Sequence, residues 1–242
     1  MFRRLLLRVV NWAGPLVLAG CMSAPVPMRT EYFPARGAAQ ADDLYIFFPG
    51  RRDDVSDFGG VGYARVLGER LPAAAAVSLD ARMGYYRNRS LVERVKLDAL
   101  ERYDAGAYRR VYLVGLSLGG LGAILSGYEF PEQVDGILLI SPFLGYDGIL
   151  DEIERAGGVG AWSPGEVTAR DWQRVVWSQL KEYLAQDGEL PPITLAYGRD
   201  DYLVKGHRLL AAALPDDRVI SVPGEHTNPV FLKLWSKLLE RQ

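Results

Sequence analysis

Cysteine and histidine are scarce in this chain, and each scarcity narrows its possible chemistry. The single cysteine, Cys21, excludes an intrachain disulfide, a thiol redox pair and a cysteine-rich zinc site. The only histidines are His207 and His226, so few side chains are available as a base that works near neutral pH. The positions of these three residues are therefore especially informative about function.

Neither sign of charge dominates. The chain has 28 Lys and Arg against 30 Asp and Glu, a formal net charge of −2. Nucleic-acid binding depends on basic patches that neutralise phosphates, so we predict no nucleic-acid partner. With 49% hydrophobic and 24% charged residues, the composition also excludes intrinsic disorder and a coiled coil. What remains is a globular protein of 242 residues.

The first twenty residues have the parts of a secretory signal. Arg3 and Arg4 precede an apolar run, and small residues end it at Gly20. The run from Val9 to Gly20 is shorter than the roughly 20 residues that a membrane-spanning helix needs. We therefore interpret residues 1–20 as a signal peptide.

The end of this signal, Leu18-Ala19-Gly20-Cys21, resembles the lipobox of bacterial lipoproteins. The resemblance implies cleavage before Cys21, a diacylglycerol on its sulfur, and palmitate or a similar acyl group among its lipids. It places the protein in the bacterial cell envelope, and Met22 in place of aspartate favours the outer membrane over the inner one. The alternative is a soluble protein with an apolar start and a buried cysteine.

Residues 21–42 are rich in proline, glycine and alanine and show little apolar periodicity. Such a composition is typical of a linker. We predict a tether between the lipid and the folded domain, with Tyr32 and Phe33 as possible contacts to that domain.

Residues 43–242 alternate apolar strand-like runs with amphipathic helical patterns. Continuous β-prone runs fit strands that are buried on both faces of a parallel sheet. The predicted fold class is therefore α/β, with a doubly wound, mainly parallel sheet whose ligands lie beyond the carboxyl ends of the strands. The predicted strands are Leu44–Phe48, Ala75–Leu79, Val111–Gly115, Gly136–Ser141, Ile193–Tyr197 and Arg218–Val222.

A long segment, about 143–190, interrupts this alternation. It exceeds an ordinary crossover connection between strands. Ser163-Pro164-Gly165-Glu166 has the form of a capping box and predicts a helix from there to about Gln186. We interpret the segment as a helical cap inserted over the strand ends.

The sequence Gly115-Leu116-Ser117-Leu118-Gly119 follows one predicted strand and precedes a helix. This is the context that a G-x-S-x-G nucleophile elbow requires, because the tight turn projects the serine and the helix N-terminus favours negative charge. The alternative is a glycine-rich helix entry with a structural serine.

Together these features resemble the α/β-hydrolase family, in which the chain order is serine, acid, histidine. The resemblance implies Ser117 as nucleophile and His226, in Gly224-Glu225-His226, as base. The acid loop matches best at Asp201, with Asp200 as the neighbouring candidate. His207 falls within a predicted helix, where we expect an ordinary surface or cap residue.

The resemblance also implies an oxyanion hole built from the backbone N–H groups of Leu118 and Arg51. Pro49 stands where the family frequently has histidine, so the second donor departs from the usual pattern. The run Arg51–Asp54 is either a charge cluster near the substrate or a solvated, self-paired loop.

Five aromatic residues are candidates for the lining of a substrate pocket. They are Tyr85, Tyr86, Trp162, Trp172 and Trp177. They either line an acyl-binding pocket or pack the cap onto the core.

The function expected from these residues is a membrane-anchored serine hydrolase that cleaves carboxylic esters of small acyl substrates. No metal and no organic cofactor is implied. Two alternatives stay open: a binding or assembly lipoprotein with an idle triad, and a cap-selective serine peptidase. The oligomeric state is left open.

The anchor gives a first testable prediction. Cells fed labelled palmitate should incorporate it into the wild-type protein but not into Cys21→Ala, because the variant lacks the acceptor sulfur. The measurement is radiolabel or click fluorescence of the immunoprecipitated protein. Equal labelling of both proteins would contradict lipidation at Cys21.

Overall fold

The structure is a computed structural model that describes residues 24–38, 40–168, 170–185 and 190–242. Residues 1–20, the predicted signal peptide, and Cys21 lie outside the described residues. Among those described, seven strands form one sheet. The strands are β1 (Thr30–Phe33), β2 (Asp43–Phe48), β3 (Ala74–Leu79), β4 (Arg110–Leu116), β5 (Gly136–Ile140), β6 (Ile193–Gly198) and β7 (Val219–Val222).

The sheet has the order β1-β3-β2-β4-β5-β6-β7, and all neighbours from β3 to β7 are parallel. Every residue of β2, β3 and β5 is buried, as expected for strands covered on both faces. The predicted α/β fold with a mainly parallel sheet is confirmed.

Helices cover both faces of this sheet. They are α1 (Tyr63–Arg70), α2 (Met83–Arg87), α3 (Leu91–Val95), α4 (Leu118–Glu129), α5 (Asp147–Arg155), α6 (Trp172–Ala185), α7 (Val204–Ala211) and α8 (Asn228–Leu239). Short π-helical turns at Phe58–Gly62 and Lys96–Glu101 adjoin α1 and α3, and 3₁₀ turns occur at Ala105–Ala107, Pro131–Gln133 and Asp216–Arg218.

The alternation of side chains along β2 divides the core in two. Leu44, Ile46 and Phe48 face a cluster with α3, α4 and α6, whereas Tyr45 and Phe47 face α1 and α8. On the second face the Trp235 indole N–H donates to the backbone oxygen of Tyr63, 3.1 Å away. One apolar layer therefore packs against each face of the sheet. The two layers fix the positions of the strand ends, where the polar residues lie.

The predicted tether is wrong in part, because the fold begins before residue 43. Thr30–Phe33 pairs antiparallel with β3, and Met28 is fully buried. The buried carboxylate of Asp98 accepts the Met28 N–H at 2.8 Å. A four-residue edge strand with polar Thr30 and Glu31 has no clear apolar alternation, so its pairing with the open edge of β3 is a tertiary effect.

The helical cap lies where the long segment was predicted, but its helices begin elsewhere. Helix α6 starts at Trp172 rather than at Ser163, since Gly165 has φ +62°, which is not helical. Asp171 precedes the helix and its carboxylate accepts the Arg174 N–H, at 3.2 Å. Helix α5, Asp147–Arg155, was not predicted.

The two cap helices are joined by a charged pair. The Arg174 guanidinium binds both carboxylate oxygens of Glu152 at 2.7 Å, and Glu152 also accepts the Trp162 indole N–H at 2.9 Å. The Arg174 hydrogen bonds, followed by that from Trp162, lower the pKa of Glu152 to about 2. Bidentate contacts of this kind hold α5 and α6 in a defined relative position.

Within the part of the chain that the structure describes, no helix combines the length and the apolar character needed to cross a bilayer.

Candidate active site

Ser117 occupies a tight turn between β4 and α4. Its φ is +51° and its ψ is −116°, a strained conformation for a residue with a side chain. A Cβ at Gly115 would lie 2.5 Å from the Cα of Gly120, and one at Gly119 would overlap the carbonyl oxygen of Phe48. The flanking glycines are therefore required by close backbone contacts, as the sequence motif predicts.

His226 and Asp201 come to Ser117 from the loops after β7 and β6. The Ser117 Oγ lies 3.0 Å from His226 Nε2, and His226 Nδ1 lies 2.7 Å from Asp201 Oδ2. An ionised carboxylate only accepts, so Nδ1–H donates to Asp201 and Nε2 is left to accept the Ser117 O–H. The structure thus brings the three predicted residues together in one hydrogen-bonded chain.

The acid next to His226 is Asp201 and not Asp200. Asp200 is exposed, and its carboxylate accepts the Gly224 N–H at 2.8 Å. Asp201 is 2% exposed and also accepts the Leu203 N–H, at 2.8 Å. Asp201 therefore binds His226, whereas the neighbouring Asp200 binds the backbone of the loop that carries His226.

The electrostatics of Asp201 favour its charged form. Burial by itself raises the pKa of this carboxyl, but the hydrogen bonds from His226 and from the Leu203 N–H outweigh burial and lower the pKa. A carboxylate that stays ionised can hold the His226 tautomer and stabilise an imidazolium.

The rings of Tyr202 and Phe231 both contact the imidazole of His226. Their centroids lie 4.8 and 4.7 Å from that of His226. Tyr202 is 76% exposed, whereas Phe231 is buried. His226 therefore contacts one buried and one exposed aromatic ring.

The loop after β2 lies against the start of α4, where the sequence predicts the oxyanion hole. The Leu118 N–H is the first of α4 and has no helical partner four residues earlier. Arg51 follows Gly50, whose position is close enough to Ser117 that an added Cβ would lie 3.7 Å from the Ser117 Cβ. Both predicted donors belong to segments that border the nucleophile.

Asp53 shapes this loop. Its carboxylate accepts the Gly50 N–H at 2.9 Å, and the Asp53 N–H donates to the Gly50 oxygen at 3.3 Å. Burial raises the pKa of Asp53, while the Gly50 hydrogen bond opposes that rise, and His226 is close enough to act on it electrostatically. Of the Arg51–Asp54 run, Asp53 is therefore part of the site, whereas Asp54 binds Ser56 at the surface.

A cavity of about 1130 Å³ opens above Ser117 between the sheet and the cap. Tyr85, Tyr86 and Trp172 line it, which agrees with the first of the two alternatives for the aromatic residues. Trp162 and Trp177 are buried and do not belong to the lining, which agrees with the second alternative, packing of the cap. Their indole N–H groups are bound to Glu152 and to the Leu144 oxygen, so these rings pack the cap on the core.

His207 is not the surface residue that the sequence suggests. It is fully buried, and its Nε2–H donates to the Pro142 oxygen at 2.9 Å, while Nδ1 has no hydrogen-bond partner among the described residues. Burial lowers the pKa of His207 to about 4. The adjacent Phe143 N–H donates to the Ser117 oxygen at 2.8 Å, so this neutral histidine braces the loop beside the nucleophile.

Residues that the sequence does not single out complete the site. Tyr202 covers His226, and Arg87 and Arg170 line the cavity. Of these three residues, only Tyr202 could have been found from the sequence, because it directly follows Asp201. The arginines come from separate segments that only the fold brings together. No group of three His, Cys, Asp or Glu side chains is placed to hold a metal ion in the described part of the chain.

Comparison with known proteins agrees with this architecture. No protein-family model matches the chain. An acetyl esterase of Caldicellulosiruptor saccharolyticus is 24% identical over 144 residues, which are 54% of this chain and 52% of the esterase. The chain thus spans about half the length of that relative.

Similar solved structures are more distant in sequence and cover more of the fold. An S-formylglutathione hydrolase of Staphylococcus aureus has a TM-score of 0.57 at 15% identity, over 83% of this chain and 80% of its own. Est1E of Butyrivibrio proteoclasticus, also solved with ferulic acid bound, scores 0.55 at 16% identity, over 88% and 91%. A monoacylglycerol lipase of Paleococcus ferrophilus scores 0.55 at 16%, over 89% and 99%. The chain has the α/β-hydrolase fold.

The buried histidine gives a prediction of acid sensitivity. Unfolded histidine binds a proton below about pH 6.5, whereas folded His207 does so only near pH 4. Between these values the unfolded state binds more protons, so stability falls as pH falls, by about 2 kcal/mol from pH 7 to pH 5. Urea unfolding at both pH values should show this loss in the wild type and a smaller one in His207→Gln. An equal loss in both proteins would contradict it.

Proposed function

We propose that the protein is a serine hydrolase that cleaves carboxylic esters, with Ser117, His226 and Asp201 as its catalytic triad. The single observation that carries this proposal is the unbroken hydrogen-bonded chain from Ser117 through His226 to buried Asp201. The acetyl esterase relative and the esterases of the same fold support it.

The reaction follows from the geometry. As the Ser117 Oγ bonds to the acyl carbon, its proton passes to His226 Nε2, and Asp201 stabilises the imidazolium. The carbonyl oxygen gains negative charge, for which the N–H groups of Leu118 and Arg51 are the proposed donors. His226 then protonates the leaving alcohol, the ester C–O bond breaks, and water releases the acyl group by the reverse sequence of proton transfers.

The remaining alternatives make different demands on the same site. A binding or assembly protein does not need the strained turn that places Ser117 beside His226. A peptidase must hold an extended peptide, whereas this cavity is bounded by the cap and lined largely by apolar side chains. Ester hydrolysis is therefore the function that the arrangement supports best.

We further propose that Cys21 anchors the protein to the bacterial outer membrane through lipid. The carbonyl oxygen of Pro25 accepts the Tyr85 O–H at 2.5 Å, and Tyr85 lines the cavity. Four residues of chain span at most roughly 14 Å, so a lipid on Cys21 would hold this wall of the cavity near the bilayer.

Removing the triad residues one at a time tests the proposed chemistry. Ser117→Ala and His226→Ala should each lower the kcat for a p-nitrophenyl ester by at least about 10³-fold, since neither variant can complete proton transfer from the nucleophile. Steady-state kinetics and circular dichroism measure activity and folding. His207→Gln, in which the other histidine is replaced, is the matched control and should lower activity at pH 8 far less, because His207 braces a neighbouring loop and takes no part in the proposed proton transfer.

A folded His226→Ala protein with wild-type turnover would contradict the assignment of the base. Turnover of aminoacyl anilides that exceeds turnover of esters would favour the peptidase.

The Asp53 contact predicts a positioning effect on the proposed oxyanion hole. Asp53→Ala removes the acceptor of the Gly50 N–H and should lower kcat by about tenfold with little change in KM, because donor placement matters most in the transition state. Asp53→Asn keeps an oxygen acceptor and should recover much of the loss.

Asp54→Ala is the control, since the Asp54 carboxylate binds Ser56 and not Gly50. A loss as large in Asp53→Asn as in Asp53→Ala would show that charge, rather than the position of the loop, is what Asp53 supplies.

A further inference from the structure

The cavity above Ser117 has an apolar interior. Leu121, Leu125, Phe143, Trp172 and Val176 belong to its lining, and they come from α4, from the loop after β5 and from α6. These side chains offer an acyl chain an environment from which water is largely excluded.

The charged residues of the same lining are strongly biased in sign. Five are basic, Arg51, Arg87, Arg89, Arg170 and Lys205, and one is acidic, Asp147. The whole chain has a formal net charge of −2, so the bias belongs to this cavity and not to the composition.

Three of these basic residues lie outside the ion pairs found in the described part of the chain. Lys205 pairs with Asp151 and Glu154. In contrast, the ion pairs among the described residues do not include Arg51, Arg87 or Arg170, and all three are exposed. They come from three separate segments: the loop after β2, the end of α2 and the loop before α6.

We propose that this site takes acyl esters whose alcohol part carries an anionic group, a phosphate or a carboxylate. The inference rests on the proposed hydrolase function and names its substrate class. The acyl chain occupies the apolar interior, the ester carbonyl lies at Ser117, and the anionic group lies at the mouth between the arginines. A guanidinium suits both phosphate and carboxylate because its donors are arranged as a planar fork.

The chemistry balances with water as the only co-reactant. Ser117 Oγ bonds to the acyl carbon as the ester C–O bond breaks, and the alcohol leaves with a proton from His226 while its anionic group is unchanged. Water then bonds to the acyl carbon and its proton returns through His226 to Ser117. The products are a carboxylic acid and an anionic alcohol.

A matched pair of substrates tests the selectivity of the full-length protein in mild detergent. The pair is 1-octanoylglycerol and 1-octanoylglycerol 3-phosphate, which share the acyl group and the ester bond. We expect at least a tenfold higher kcat/KM for the phosphate, mainly through KM, and a smaller preference in 0.5 M NaCl because salt screens exposed charges.

Neutralising the arginines should remove this preference. Arg87→Gln and Arg170→Gln should each weaken the phosphate preference by about threefold and the double variant by about tenfold. Turnover of the neutral ester should fall much less than turnover of the phosphate ester, because the neutral ester has no anionic group for a guanidinium to bind. Arg65→Gln is the matched control, since Arg65 is exposed on α1 at the opposite face of the sheet and pairs with Glu69.

Binding measured without turnover separates this inference from the proposed function. Calorimetric titration of Ser117→Ala with decyl phosphate and with decanol should show tighter binding of the phosphate, and the additional Arg87→Gln and Arg170→Gln changes should abolish the difference.

The physical state of the phosphate ester distinguishes two sources of substrate. If the phosphate ester is preferred as dissolved monomer, the substrate is soluble. If it is preferred only in phosphatidylcholine vesicles, the substrate is a membrane lipid.

Equal turnover of the two esters, or a phosphate preference that survives in the double variant, would overturn the inference and leave the proposed hydrolase intact. Failure to turn over any ester would overturn the proposed function, and the inference would then be decided by the titration alone. In that titration, equal binding of decyl phosphate and decanol to Ser117→Ala would overturn the inference.

Discussion

The close approach of α4 to the end of β2 determines where the rest of the site lies. At Gly119 the helix backbone passes so near the carbonyl oxygen of Phe48 that no side chain fits between them. This contact forces the tight turn at Ser117, and it places the loop that begins at Pro49 beside the nucleophile. The helix N-terminus and that loop then border the same small space, where a developing negative charge can be stabilised.

The titratable residues around this space differ in their burial and in the number of their hydrogen-bond partners. Asp201 is buried but satisfied by two hydrogen bonds, so it remains a carboxylate at neutral pH. His207 is buried with one nitrogen unsatisfied among the described residues, so it remains neutral and serves as a brace. Arg51, Arg87 and Arg170 at the cavity mouth are exposed and belong to none of the ion pairs found among the described residues, so their charge is available to a ligand. Differences in burial and pairing therefore suit these residues to the three proposed roles of proton transfer, support of a loop and binding of an anionic group.

Much of this arrangement was predictable from the sequence, for reasons of periodicity and scarcity. The buried strands are uniform apolar runs, and with two histidines in the chain the loop position of His226 left little choice. The edge strand Thr30–Phe33 was missed because its pairing depends on the open edge of β3, not on its own composition. The sequence favoured Asp201 but did not fully separate it from Asp200, since the role of each depends on which loop groups it meets. The charge of the cavity mouth was also unpredictable, because its arginines are far apart in the chain.

Ser117 is the proposed nucleophile, and His226 is the residue proposed to activate it. Intact-protein mass spectrometry after reaction with a fluorophosphonate, followed by peptide mapping, tests this assignment most directly. We predict one covalent adduct per chain, located on Ser117, with labelling absent in Ser117→Ala and slowed by orders of magnitude in His226→Ala. A folded wild-type protein that acquires no adduct, or one whose adduct maps to another serine, would contradict the account.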